Sequence, residues 1–255
     1  MGTLDEVKGL IKNPPKEYRS APFWGWNDRL QRENLGEQIE GFKKAGMGGF
    51  FIHSREGLET EYLSTEWMED VKFCVDKARE NDLELWIYDE DKWPSGCAGG
   101  LVSHVNPKEY SAKGLTMEVL DAVVQCNEEN ASDAAVYKVA GRTLEVGKEY
   151  ADGKILGIYT IWTDGYKIVK MAEGICGENN VNCVTEDGIE NEALQNTKCQ
   201  SLILRREISG DSEWYNGYAP TDNLNPKAVH EFLELTHESY KKHFKDEFGK
   251  TIKGF

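Results

Sequence analysis

Leu83-Glu84-Leu85-Trp86-Ile87-Tyr88-Asp89-Glu90-Asp91-Lys92-Trp93-Pro94-Ser95-Gly96 is an apolar run that ends in three carboxylates and a Trp-Pro turn. A stretch as uniformly apolar as Leu85 to Tyr88, directly after a helical pattern, reads as a strand buried on both faces, as a parallel sheet requires. The acids then sit at its carboxyl end. Three adjacent acidic side chains repel one another and lose hydration when buried, so they are tolerated where solvent, a cation or a polar ligand compensates them. A solvated acidic loop meets that condition. The flanking rings and Gly96, Gly99 and Gly100 point instead to a ligand, because flat aromatic faces beside carboxylates, on a turn that lets backbone come close, suit a sugar.

Upstream, Leu4, Val7, Leu10 and Ile11 make a short amphipathic piece, closed by Asn13-Pro14-Pro15, which cannot continue a helix. Pro22 to Asn27 reads as a first strand. Asp28 with Gln31 can cap the next segment, where Leu35, Ile39 and Phe42 recur at helical spacing until Gly46 supplies a stop. Gly48 to Arg55 is a second apolar strand ending in polar residues, and Ser64 can cap a helix with Trp67, Val71, Cys74, Val75 and Ala78 on one face. Strand–helix–strand–helix–strand with short connections means parallel strands and right-handed crossovers. Ligands of such folds bind at the carboxyl ends of the strands, which gathers Trp26, Asn27, His53, Ser54, Arg55, Asp89, Glu90 and Asp91 on one face.

The period then changes. From about Tyr110 to Tyr218 there is no clear long helix but a series of short runs: Leu115 to Val119, Ala135 to Val139, Thr143 to Val146, Ile155 to Trp162, Lys167 to Met171 and Ser201 to Ile208. Gly141, Asp152-Gly153, Asp164-Gly165 and Gly210 punctuate them, as in an antiparallel β domain. Such a block is too long for a loop and reads as an insertion. The helical pattern resumes with Asn225-Pro226 as a start and Val229, Phe232, Leu233, Thr236, Tyr240 and Phe244 on one face, stopped by Gly249. Thr251 to Phe255 begins a fourth strand. The expected fold class is therefore α/β: a partial (β/α)8 TIM barrel, first three to four strands, with an inserted antiparallel β-rich domain. Its expected boundaries are 1–106 for the first half of the barrel, 107–218 for the insert and 219–255 for the continuation. A complete barrel takes about 250 residues without insertions, so the chain is expected to be an N-terminal fragment of one. Such a half barrel leaves a strand edge and an apolar face open, and self-association is expected.

The 255 residues suffice for a core, and the net charge of −15 excludes nucleic acid and anionic membrane as partners, since nothing would neutralise phosphates. No stretch approaches the ~20 apolar residues of a membrane span. The acidic start lacks a signal peptide's basic and apolar regions, which gives a cytoplasmic expectation. Cys74, Cys97, Cys126, Cys176, Cys183 and Cys199 contain no Cys-x-x-Cys pair, so reduced thiols are expected, although Cys176 and Cys183 could bridge a loop in an oxidising medium.

Several motifs carry a resemblance. Ala21-Pro22-Phe23-Trp24-Gly25-Trp26-Asn27, Gly46 to Arg55, Tyr88 to Gly96 and Thr236-His237-Glu238 resemble the N-terminal catalytic-domain motifs of bacterial glycoside hydrolases in the α-L-rhamnosidase group, glycoside hydrolase family 106. The resemblance covers roughly residues 14–106 and 218–255. It implies a (β/α)8 barrel, an exo-acting glycosidase and an active-site calcium. It also implies a Thr-Asp-Glu-Pro-like motif following the fourth strand and carrying a catalytic carboxylate that would lie beyond Phe255. Hydrolysis of a glycoside uses two carboxyl groups flanking the bond.

Asp89 and Glu90 are the candidate catalytic carboxylates, one as acid or base and the other as hydroxyl acceptor. Alternation along a strand turns neighbours opposite ways, so Asp91 is expected to face outward. Trp26 and Trp93 are candidate stacking rings for a carbohydrate, Trp24 and Trp86 candidate core. Asn27 is a candidate hydroxyl ligand. His53 would donate to hydroxyls or transfer a proton, or else bond backbone inside the barrel mouth. Arg55 would contact substrate or pair with one of the acids. His104 and Glu238 default to surface positions. No ligand spacing defines a metal site; if a cation were bound, the oxygen-rich set of His53, Asp89, Glu90 and Asp91 would favour calcium or magnesium. The expected function is an exo-acting glycosidase, with no obligatory cofactor; a non-catalytic carbohydrate-binding protein and a metal-dependent barrel enzyme such as an isomerase remain as alternatives.

Overall fold

A computed structural model describes residues 3–122, 124–126, 136–173 and 198–255. In chain order its elements are α1 (Leu4–Lys12), β1 (Phe23–Trp26), α2 (Arg32–Lys44), β2 (Gly49–Ser54), α3 (Thr65–Glu80), β3 (Glu84–Asp91), α4 (Leu101–Val105), α5 (Pro107–Tyr110), β4 (Lys113–Leu120), β5 (Gln125–Cys126), β6 (Val136–Val139), β7 (Arg142–Glu145), β8 (Glu149–Tyr150), β9 (Gly153–Asp164), β10 (Lys167–Glu173), β11 (Lys198–Ile208), α6 (Pro226–Leu233), α7 (Ser239–Phe244) and β12 (Ile252–Gly254). They form two compact units, Met1–Ala112 with Gly210–Phe255, and Lys113–Ser209.

In the first unit four strands make a parallel sheet in the order β1, β2, β3, β12. Period-two alternation sends Trp24, Trp26, Phe50, Ile52, Leu85 and Ile87 to one face, where they pack with Leu35 and Ile39 of α2, Trp67, Val71 and Cys74 of α3, and Tyr240 and Phe244 of α7. Full burial of a side chain of this size contributes about 1.5–3 kcal/mol, so this aromatic-rich layer dominates the unit's stability. Within it the Trp67 indole N–H donates to the Tyr240 hydroxyl at 2.8 Å, and Arg32 of α2 reaches Asp70 of α3 at 2.8 Å. The opposite face carries Phe23, Phe51, His53, Trp86 and Tyr88 in ring contact with one another. Trp86, an expected core residue, lies on this second face, stacked on Phe51 at 4.9 Å.

The helix ends follow their caps, with one difference. Ser64 accepts from the Trp67 N–H and opens α3, and Asn225 accepts from the Lys227 N–H ahead of Pro226. Asp28 does not cap α2: its carboxylate accepts from the next residue's N–H, and α2 begins after Gln31 without a side-chain cap. The helix from Pro226 to Phe244 contains a π-helical turn at Glu234–Glu238, where an extra residue widens the backbone ladder.

The second unit is antiparallel. β10, β9, β11 and β4 form one sheet, with β8 beside β9, and β5, β6 and β7 form another. Val124, Val139, Leu144, Ile155, Ile158 and Ile203 are its buried core. The carboxylate of Glu118 on β4 accepts from Arg142 at 2.8 Å and Arg205 at 2.7 Å, so its carboxyl is held below the usual range, chiefly by the Arg142 bond. Cys74 and Cys97 are buried, unbridged thiols; Cys176 and Cys183 lie outside the described residues.

Candidate functional site at the strand ends

The acids of β3 do not alternate simply. Ile52 of β2 faces Ile87, but Ser54 faces Asp91, so β3 carries extra residues over its last turn and the pleat is interrupted there. That irregularity gives each acid a separate environment.

Glu90 is 1% exposed. Its Oε2 accepts from the N–H groups of Gly96 (2.9 Å), Cys97 (2.7 Å) and Ala98 (2.9 Å), and its Oε1 from those of Gly99 (2.5 Å) and Asp91 (2.8 Å). Positive φ at Gly96, Ala98 and Gly99 turns successive N–H groups inward, a backbone nest for an anion. The loop has closed on a carboxylate of its own chain. Burial pushes the Glu90 carboxyl upward, opposed by the N–H donors of Gly99, Cys97, Asp91 and Ala98. The glycines expected to admit a ligand instead admit this side chain and neighbouring backbone; a Cβ at Gly100 would meet the Tyr215 carbonyl at 2.3 Å.

Asp91, expected to face outward, is buried; one oxygen accepts from the Ser54 hydroxyl and the other from Asn216 Nδ2 at 2.8 Å. Asp89 is the acid left with access, its side chain 18% exposed. Its Oδ1 accepts from the Ser95 hydroxyl at 2.8 Å, and its Oδ2 lies 3.3 Å from His237 Nε2. His237 and Ser95 were quoted in the motifs above without a role; Asn216, from a left-handed position after a short 3-10 turn, had no sequence signal.

The remaining candidates separate. Trp26 is 2% exposed and packs edge-on against Trp24 and Trp67, on the helix side of the sheet, because Trp24 is two residues before it in the pleat. It is core, not a stacking ring. His53 bonds the Lys92 carbonyl through Nε2 at 2.9 Å and packs against the rings of Phe23 and Tyr88. Burial lowers its pKa from 6.5, against the pull of that backbone bond. Asn27 is exposed at the end of β1. Trp93 is 57% exposed, and its carbonyl accepts from the Trp214 indole at 2.7 Å.

Arg55 lines a cleft of about 480 Å³ with Glu61, Tyr62, Asp91, Lys92 and Asn216. Lys92, in a left-handed conformation, fixes its ammonium on the Trp214 carbonyl and Asn216 Oδ1, at 3.2 and 3.0 Å. The volume falls in the range of small-molecule sites, and its walls offer both donors and acceptors.

Among the described residues no group of three or more His, Cys, Asp or Glu is arranged to hold a metal ion. Glu90 and Asp91 accept from amide and hydroxyl donors of the chain itself.

These features define a mixed α/β protein with a parallel sheet, a polar cleft and, of the three acids that end β3, one partly accessible carboxylate. No family model and no curated protein matches the chain. Among solved structures it is similar to a rhamnosidase from Novosphingobium sp. PP1Y, at 15% sequence identity and a TM-score of 0.45, over 93% of this chain and 38% of that one. The chain thus spans under two fifths of that protein's length. Among the described residues no helix is long and apolar enough to cross a membrane.

Proposed function

We propose that this chain belongs to a glycoside hydrolase, with β1, β2, β3 and β12 as the first four staves of a (β/α)8 barrel and Asp89 as a catalytic carboxyl group. The observation that carries the reading is the sorting of the three acids. Glu90 is buried under five N–H donors and Asp91 is buried between Ser54 and Asn216, whereas Asp89 stands partly open near the end of β3 beside an imidazole. A carboxyl that handles a proton needs access and a proton partner. Parallel strands in consecutive order with helices on one face support the barrel, whose sites lie at the strands' carboxyl ends. The motif resemblance described above supports the substrate class. A second carboxyl completes such a site, and in this reading a further strand of the barrel supplies it. The polar cleft at Arg55 favours a second reading, carbohydrate binding without turnover.

The test is hydrolysis of aryl glycosides, α-L-rhamnoside included, by the chain, by the longer product if its gene continues past Phe255, and by Asp89→Asn in each active form. Turnover that Asp89→Asn lowers by about a thousandfold or more is expected, a loss of at least about 4 kcal/mol of transition-state stabilisation. Sugar binding without turnover in either form supports the second reading, and turnover indifferent to Asp89→Asn removes Asp89 from the mechanism.

A further inference from the structure

The surroundings of His237 determine where its protons are. Thr236 Oγ1 lies 2.6 Å from the Phe232 carbonyl and 3.1 Å from His237 Nδ1. A carbonyl only accepts, so the single hydroxyl proton is committed to Phe232, and the hydroxyl oxygen must accept from the ring. Nδ1 of His237 therefore carries a proton. Nε2 then faces Asp89 Oδ2 at 3.3 Å. At that distance a proton on either partner makes the contact attractive, as an imidazolium against a carboxylate or a carboxylic acid against a neutral ring.

We propose that His237 is a positioning residue that holds a transferable proton at Asp89, and that the π-helical turn Glu234–Glu238 exists to aim it. The inference rests on the assignment of Asp89 as the proton-handling carboxyl. Several elements converge on the pair. The π turn sets Thr236 and His237 side by side at the end of β3, and such turns recur at functional sites. Thr236 is fully buried, and the His237 ring is braced by Phe255 at 4.2 Å and Phe232 at 5.7 Å. Ser95 holds the far oxygen of Asp89. The pair itself stays partly open, with side-chain exposures of 18% for Asp89 and 27% for His237. Many glycosidases keep a carboxylic acid protonated by burying it; here an imidazole would keep the proton available beside a carboxylate that is not fully buried.

In the reaction this arrangement serves, the proton leaves the pair through Asp89 Oδ2 for the glycosidic oxygen as the bond from that oxygen to the anomeric carbon breaks. Water supplies the new hydroxyl at the anomeric carbon and releases its surplus proton to solvent. The pair, left as neutral imidazole and carboxylate, takes up a proton from solvent before the next turnover.

The test is long-range proton–nitrogen NMR of the 15N-labelled chain, with the His237 signals assigned by their absence in His237→Gln. His237 is expected to carry its proton on Nδ1 in the neutral ring, the reverse of the Nε2–H form that free neutral imidazole prefers. Thr236→Ser, which keeps the hydroxyl, should retain that signature, and Thr236→Val should lose it. An Nε2–H neutral form in the unmodified chain overturns the proposal, as does a signature indifferent to Thr236→Val. The spectrum needs no turnover, so absence of hydrolysis with Nδ1 protonated would fault the glycosidase reading alone. In an active form, His237→Gln is expected to lower kcat at least tenfold with KM unchanged; equal kcat would overturn the role at Asp89.

Discussion

At Glu90 the residue type was legible in the sequence and its hydrogen-bond partners were not. An acid at a strand end beside glycines suggests catalysis, yet this one accepts five N–H groups from its own chain. Glu90→Gln replaces one acceptor oxygen by an NH2 group facing those donors. Each buried donor left unpaired costs about 1–3 kcal/mol, and a loss of about 3 kcal/mol is expected. Denaturant unfolding followed by tryptophan fluorescence reports it, since of the seven tryptophans Trp162 alone lies in the second unit. Unchanged stability would mean that the loop does not depend on the carboxylate. His53 makes a second prediction. Its folded-state pKa lies below 6.5 because of burial, so as pH falls the unfolded chain takes up the proton first. Stability is then intact above the ordinary histidine value and declines as pH drops through it. His53→Gln can still donate to the Lys92 carbonyl but cannot titrate. It should reduce the fall in melting temperature between about pH 7 and 5, and an unaltered slope would assign that fall to other groups.

At the scale of elements, local signals and packing agree where a cap or a breaker is present. Ser64 opens α3, the helix that carries Trp67, Val71 and Cys74 into the core. Ser64→Ala should cost about 1 kcal/mol, read as a lowered unfolding midpoint with an unchanged denaturant slope; a change below a few tenths would show that packing alone holds the first turn. The start of α2 and the end of β3 were less legible. Asp28 and Gln31 resemble a cap in spacing, but the chain turns so that Asp28 meets its neighbour's N–H instead. At β3 the alternation rule assumes an uninterrupted pleat, and the extra residues opposite Ile52 to Ser54 break it. Asp91 was therefore placed on the wrong side. The π turn had no signal either, because a helix with one extra residue keeps nearly the same apolar spacing.

For the whole molecule, the open features of the first unit carry the remaining prediction. β1 is a sheet edge, and Phe23 on it is 58% exposed, continuous with the ring face of Phe51 and Trp86. Edges and apolar faces of this kind pair with other chains, so we expect concentration-dependent self-association in sedimentation velocity. The net charge of −15 opposes it at low ionic strength, so added salt should strengthen it. Phe23→Lys should return the chain to monomer. A monomer at all concentrations would mean that the face is stable in water as it stands.

Period and punctuation were sufficient to read the parallel strands, their crossover helices, the β-rich stretch between them and the accumulation of polar residues at strand ends. These depend on spacing along the chain, which a strand or helix converts directly into a face. The fate of each polar group at those ends was decided in three dimensions. Whether Asp89, Glu90 or Asp91 stays open depends on donors contributed by residues 54, 95–99, 216 and 237, brought from four separate parts of the chain. Hydrogen bonds are directional and short, so one irregular turn in β3 was enough to give three neighbouring acids three different environments.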